Sequence, residues 1–430
     1  MLRSGLNNLA ISAIGSSITY LSYVYVAYAF GANIETDIFF FAVSFIALSS
    51  ALITTVISSI FLPLVIQLRN KNNLDEESIL FTNNFFSWLL VIISIGGLGI
   101  FLFTLDLFLF VSKFHKEEIL INIDTLRYFA FIFMATVVNE FYRVLLQSHG
   151  EFKVPAISNI IQPSVTILSI YILASRFNVE SLAIATLISR VFQLIYLQRS
   201  SFKMGIRLKL DFINHKNIFK FFNLAYVYWI ASFITMFSGF YFDYSATGLS
   251  GGSLTAISYA QKIYILPISF LAIPILEILS TKFALLYASN ELGKIQDLYK
   301  QIVDMTLFIM VPVSAVLIGY GEDIVQILFV RGAFTKESVA MTASSLSIYA
   351  IAIPFIVLFQ LNGRITLTLQ KTKLVSVLGS LGHFFMICVT WWAVKEFNYI
   401  GIPLAKTGVE LAYFFPFGML CIYFYLGGID

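Results

Sequence analysis

Charge is what this sequence has least of. Only 12% of its 430 residues are Asp, Glu, Lys or Arg, whereas a soluble domain carries roughly 25%. With 59% hydrophobic residues, a soluble fold would have too little polar surface to cover its core, so a bilayer must solvate most of the chain. Cysteine is nearly absent. Cys388 and Cys421 both lie inside apolar runs and are too few for a disulfide framework or a cysteine metal site. Histidine is also sparse, and His115, His149, His215 and His383 are dispersed. No Gly-rich phosphate loop is present, which excludes ATP-driven transport by this chain alone. A net charge of +3 is too small to point to nucleic acid. The first apolar run is too long for a signal h-region and lacks a small-residue cleavage site, so no cleavable signal peptide is expected.

What the sequence has instead is long apolar runs. A helix needs about 20 such residues to cross the hydrocarbon. That window gives about twelve spans, near 7–30, 38–67, 80–111, 126–147, 154–174, 180–197, 218–242, 254–280, 301–320, 338–362, 374–394 and 400–426. Runs this continuous exclude barrel strands, which alternate over about ten residues. The expected fold is all-α and polytopic.

Lys and Arg set the orientation. With the N-terminus inside, the inner loops hold Arg3, Arg69, Lys71, Lys153, Lys282, Lys294, Lys300, Arg364, Lys371 and Lys373. They also hold the cluster Arg199, Lys203, Arg207, Lys209, Lys216 and Lys220. The outer loops hold Lys113, Lys116, Arg176, Arg331, Lys336 and Lys395. Both termini are therefore expected in the cytoplasm of a multi-pass inner-membrane protein. The basic stretch falls at the midpoint, so the chain divides into a six-helix lobe at 1–200, a cytoplasmic connector at 201–217 and a second six-helix lobe at 218–430.

The halves resemble one another at a constant offset. Phe41-Ala42 parallels Tyr259-Ala260, Arg143 and Lys153 parallel Arg364 and Lys373, and Gly31-Ala32-Asn33 parallels Gly251-Gly252-Ser253. Parallel repeats of this kind frame transporters whose site lies where the halves meet.

Several segments resemble a known family. Phe30-Gly31-Ala32-Asn33-Ile34-Glu35-Thr36-Asp37-Ile38-Phe39-Phe40 is similar to the first outer loop of the MurJ (MviN-type) lipid II flippases. Phe152-Lys153-Val154-Pro155-Ala156 resembles their fourth cytoplasmic turn, and Ser258-Tyr259-Ala260-Gln261-Lys262 with Pro267 their eighth helix. Leu328-Phe329-Val330-Arg331-Gly332-Ala333-Phe334-Thr335, followed by Leu346, Tyr349 and Pro354, resembles their ninth outer loop and tenth helix. The resemblance implies the MOP flippase fold, two six-helix lobes in a V around a central cavity. It also implies alternating access that carries an undecaprenyl-diphosphate-linked glycan, for peptidoglycan or a surface polysaccharide, with polysaccharide assembly proteins and membrane lipid as partners. Two departures matter. Where the family carries arginines on its first two helices, this sequence has Ser16, Ser22 and Ser50, and only the eighth-helix cation survives, as Lys262. The family also has two further helices for the lipid tail, and none follows the twelfth span here. These departures point away from lipid II and towards a divergent member that serves surface polysaccharide export, with peptidoglycan synthesis the other pathway open to it.

Charged residues inside the spans mark the candidate site, because an ionisable group at mid-bilayer costs a few kcal/mol or more and turns to a cavity or a partner. Lys262 lies about ten residues into its helix, roughly 15 Å deep, as a candidate for the diphosphate or as half of an ion pair. Arg190 is as deep in the sixth span, as a substrate contact or a packing residue. Glu140 and Arg143 share a helical face and can neutralise one another or gate, and Lys406 with Glu410 can do the same. Asp37 begins the second helix, where the helix dipole favours a carboxylate, and could also gate. Asp243 is a candidate for coupling to a cation. No cofactor is expected beyond a coupling Na+ or H+ or the membrane potential. Two other classes compete: a cation-coupled drug antiporter of the same superfamily, and a membrane-embedded glycan polymerase or acyltransferase. The first needs a carboxylate cluster and the second a substantial extramembrane catalytic loop. The sequence shows neither, so a transporter rather than an enzyme is expected.

Overall fold

A computed structural model describes residues 2–71, 75–212, 232–289, 291–330, 332–369 and 371–426. Every regular element among them is a helix. Residues 213–231, and with them most of the span expected at 218–242, lie outside the described residues. The chain divides into two compact units, one of Met1–Phe30 with Ile34–Phe240 and one of Gly31–Asn33 with Tyr241–Asp430.

In the first unit α1 (Leu2–Phe30) is followed by α2 (Ile34–Val56), which passes through a π turn at Ile57–Phe61 into α3 (Leu62–Lys71). α4 (Asp75–Leu102) breaks at Phe103, so the span expected at 80–111 is two helices, with α5 at Thr104–Val111. α6 (Lys116–Ile121) is a short turn closed by a capping box in which the His115 backbone N–H donates to Glu118 Oε2 at 2.8 Å. α7 (Ile123–Ser148), α8 (Lys153–Phe177) and α9 (Glu180–Lys203) follow. A helix at 232–246, α10, carries the chain across the boundary at Phe240 and Tyr241 into the second unit. The second unit continues with α11 (Ser253–Pro267), a π turn at Ile268–Ala272, α12 (Ile273–Ala288), α13 (Leu292–Gly319) and α14 (Gly321–Phe329). α15 (Lys336–Ile351), α16 (Ile353–Thr368), α17 (Thr372–Phe397), α18 (Gly401–Val409), a third π turn at Glu410–Phe414 and α19 (Phe415–Leu426) complete it.

Among the described residues eight helical stretches are long and apolar enough to cross a bilayer. The pair α15 and α16, bent by 45°, makes a ninth when read as one span. Their outer faces carry large apolar groups, such as Ile95 and Phe308, where a soluble protein would place charge. Lipid offers no hydrophobic reward for helix association, so packing and polar contacts must hold the helices together. In the first unit aromatic rings supply the packing: Phe61 lies 4.7 Å from Phe85 and 5.4 Å from Phe141, with Phe86 5.0 Å from Phe141. Tyr259, Phe329 and Phe334 form the corresponding knot in the second, at 5.1 to 5.9 Å. Most Ser and Thr hydroxyls in the spans donate to their own helix carbonyls, as Thr82 does to Ser78 and Thr390 to Met386, which lets polar side chains sit in apolar surroundings.

The element order of one unit recurs in the other. A 28-residue helix is followed by one of eight or nine residues at α4–α5 and again at α13–α14. The only described non-glycine residues with positive φ are Asn178 and Asn398, 220 positions apart (398 minus 178), and each turns a long helix into the next. Asn tolerates the left-handed region better than most residues. At the second turn α17 and α18 come so close that a Cβ on Gly401 would overlap the Ala393 carbonyl. Gly401→Val should therefore force the hairpin apart, at about 1–3 kcal/mol for an overpacked site. The expected readout is a lower midpoint of thermal unfolding in detergent, and an unchanged midpoint would show that the hairpin relaxes freely.

Candidate functional site

The sequence-derived candidates fall into separate places within the two units. In the first, α1, α2, α8 and α9 enclose a cavity of about 170 Å³ lined by Ser22, Tyr23, Gln162, Thr166, Thr186 and Arg190 among others. Arg190 is its one charged lining residue. Its Nη1 donates to Gln193 Oε1 at 3.2 Å, and its buried Nε has no hydrogen-bond partner. Asn139 Nδ2 donates to the Arg190 carbonyl at 3.0 Å and ties α7 to α9 at this level. Next to Asn139 on α7, Glu140 forms a two-pronged pair with Arg143, Nε to Oε2 at 2.8 Å and Nη2 to Oε1 at 2.7 Å. The Glu140 carboxylate is thus hydrogen-bonded to Arg143 while also interacting electrostatically with Arg190, the cavity's one charged lining residue.

Of the three serines at the arginine positions, only Ser22 lines this cavity. Its hydroxyl donates to the Thr19 carbonyl at 2.6 Å, leaving lone pairs for whatever enters. Ser50 is buried and donates to the Ala47 carbonyl at 3.3 Å, while Ser16 is exposed. Asp37 is buried in the first turn of α2, beside Glu35 in the same turn, where the helix dipole favours both carboxylates.

The second unit holds a different cluster. Gln261 Nε2 donates to Tyr349 Oη at 3.2 Å, and the Tyr264 and Tyr349 rings stack at 5.0 Å. The Lys406 ammonium lies over both rings, 5.2 and 5.5 Å from their centroids, a geometry in which the ring quadrupole attracts a cation. The cation that sequence spacing sets against Glu410 interacts with it electrostatically and also lies over tyrosine faces, while Glu410 Oε2 is buried without a hydrogen-bond partner. Glu410 opens the third π turn, a distortion frequent at functional sites. Lys262 follows Gln261 on α11 and is half-buried, as is Asp243 on α10. No group of three or more His, Cys, Asp or Glu able to hold a metal occurs among the described residues.

Sequence reasoning missed the tyrosines. Gln261 and Tyr264 are three apart on one helix, which places them on one face. Tyr349 and Lys406 come from other helices, so no local spacing joins them. These clusters offer cations, aromatic faces and hydroxyl lone pairs, groups that bind anionic and sugar-bearing ligands. They do not present a nucleophile with its base.

Comparison with known proteins gives the chain a family. The family model of the lipid II flippase MurJ matches residues 26–425. A probable lipid II flippase MurJ from Borreliella burgdorferi is 22% identical over 383 residues, which cover 89% of this chain and 75% of that one. The Aquifex aeolicus counterpart is 28% identical over 340 residues, 77% of this chain and 65% of that one. A solved lipid II flippase MurJ in an inward closed conformation superposes with a TM-score of 0.82 at 19% identity, covering 97% and 86% of the two chains. A multidrug resistance MATE family transporter of the MOP superfamily gives 0.72 at 16% identity, covering 96% and 94%. The fold is therefore the one that these two kinds of transporter share.

Proposed function

Because the chain belongs to the lipid II flippase MurJ family, we propose that it translocates an undecaprenyl-diphosphate-linked glycan across the bacterial inner membrane, as a transporter and not an enzyme. The single observation that carries this reading is the family match over 26–425. The MATE likeness, at 16% identity, speaks for the fold alone and gives no weight to a drug antiporter. Lys262 and Arg190 are the cations on which the diphosphate depends in this reading. Asp37, Asp243, Glu140, Arg143 and Glu410 are the groups that gate or couple, with Na+, H+ or the membrane potential as the driving force.

The family name points to lipid II, the peptidoglycan precursor. Ser16, Ser22 and Ser50 favour a less anionic headgroup, such as a surface polysaccharide unit. Native mass spectrometry of the purified protein tests the general reading. Co-purified lipid with the mass of a polyprenyl-diphosphate glycan is expected, and phospholipid adducts alone would count against it.

The orientation with both termini in the cytoplasm follows from the Lys and Arg asymmetry. Cysteines placed at Ser250 and Met204, both exposed, in a chain without Cys388 and Cys421, should react from the outside at Ser250 only. Reaction at Met204 would invert the topology.

A further inference from the structure

At one end of the first unit lies a cavity of about 290 Å³ whose residues the transport reading does not use. Arg69 at the end of α3, His149 just past α7 and Arg207 beyond α9 line it, together with Ser78, Thr82 and Asn83 from the first turns of α4. None of its lining residues is acidic. The His149 ring is fixed over the end of α7, with Nδ1 3.0 Å from the Leu145 carbonyl.

The wall carrying Arg207 is an extended strap bound to α4 at three points. The Lys209 N–H donates to Asn83 Oδ1 at 3.0 Å, the Asp211 N–H to Ser87 Oγ at 2.8 Å, and Asn84 Nδ2 to the Asp211 carbonyl at 3.2 Å. These bonds hold the strap in register alongside α4. Its chemistry changes along its length, from Arg207 at the cavity, past Lys209, to Leu210 and Phe212, both exposed, on either side of the tied Asp211. The Phe212 ring meets exposed Trp88 edge-on at 5.8 Å. Trp88 is nine residues beyond Ile79 on α4, about 14 Å further along the helix at 1.5 Å per residue. A basic cavity with ample room for a phosphate headgroup thus lies beside an apolar, aromatic surface in the order in which a phospholipid presents its phosphate and its chains. Arg recognises phosphate through paired N–H donors, and Trp is enriched where chains meet headgroups.

We propose that this cavity is a binding site for the phosphate headgroup of an anionic phospholipid, whose chains lie along Leu210, Phe212 and Trp88. The site is independent of the translocation reading and lies on the side where the Lys and Arg distribution places the cytoplasm. The test uses the full chain in detergent, with short-chain phosphatidylglycerol and phosphatidylcholine as probes and native mass spectrometry as readout. The wild type should bind phosphatidylglycerol about tenfold more tightly, a difference of about 1.4 kcal/mol. Arg69→Gln with Arg207→Gln should erase that preference. Asn83→Asp, which keeps the acceptor for Lys209 while adding a negative charge to the cavity, should erase it without removing either arginine. Lys153→Gln with Lys395→Gln, an equal charge loss elsewhere, should leave it intact. Absence of the preference in the wild type, or its survival in both cavity variants, overturns the proposal. So does competition by inorganic phosphate that displaces the anionic lipid at equal concentration, since the site would then belong to a soluble phosphate.

Discussion

Replacing Lys262 with Ala is expected to abolish translocation, a loss of about a hundredfold or more, while the protein accumulates in the membrane at its usual level. The argument starts from cost. A cation inside a span is retained only where a cavity or a partner compensates it, and Lys262 is half-buried on α11. The segment around it is fixed, because neighbouring Gln261 is bonded to Tyr349. A diphosphate carries about two negative charges, and in a low-dielectric site the attraction of a single ammonium is several-fold stronger than in water. Removing one partner of such a charge pair typically costs about 2–5 kcal/mol, which is the source of the expected loss. Lys262→Arg keeps the charge but changes its shape and should retain part of the activity. Wild-type translocation by the Ala variant would remove Lys262 from the site.

The second large effect concerns the cargo. Expressed in a strain depleted of its essential lipid II flippase, this chain is expected not to restore growth, and its loss from its own host should remove a surface glycan without killing the cell. Ser22 and Ser50 spend their hydroxyl protons on the carbonyls of Thr19 and Ala47, and Ser16 is exposed. None of them supplies charge for a diphosphate with a peptide-bearing headgroup. Inside the first unit the cavity depends on Arg190, whose neighbour Glu140 is bound by Arg143. That inventory suits a sugar with many hydroxyls better than a strongly anionic headgroup. Full rescue of the depleted strain would restore lipid II as the substrate.

Much of the fold was legible in the sequence because the bilayer enforces one rule, a long apolar run per crossing. α7, α8 and α9 sit within a few residues of the runs that announced them. Breaks were harder to see. Phe103 separates α4 from α5, and a 45° bend separates α15 from α16, yet hydropathy stays high across both, so composition alone reads straight through. The internal repeat was visible in scattered residue matches, and backbone geometry makes it plain at Asn178 and Asn398, where an offset of 220 reproduces a positive φ. The site was legible by cost rather than by contact. Depth singled out Arg190 and Lys262, and spacing found the Glu140–Arg143 pair. Spacing also set Lys406 against Glu410, with which it interacts electrostatically, but it could not show that the ammonium also lies over Tyr264 and Tyr349. Cation–π contacts between distant helices leave no periodic trace in a sequence.

The most direct measurement is translocation by the purified chain in proteoliposomes, with a fluorescent undecaprenyl-diphosphate glycan in both leaflets and a membrane-impermeant quencher outside. If the protein moves the glycan, quenching should run past the outer-leaflet fraction and approach completion, and should return to the outer-leaflet fraction with Lys262→Ala. Quenching that stops at the level of protein-free vesicles, under an imposed Na+, H+ or voltage gradient of either sign, would contradict the proposal that this chain is a flippase for lipid-linked glycans.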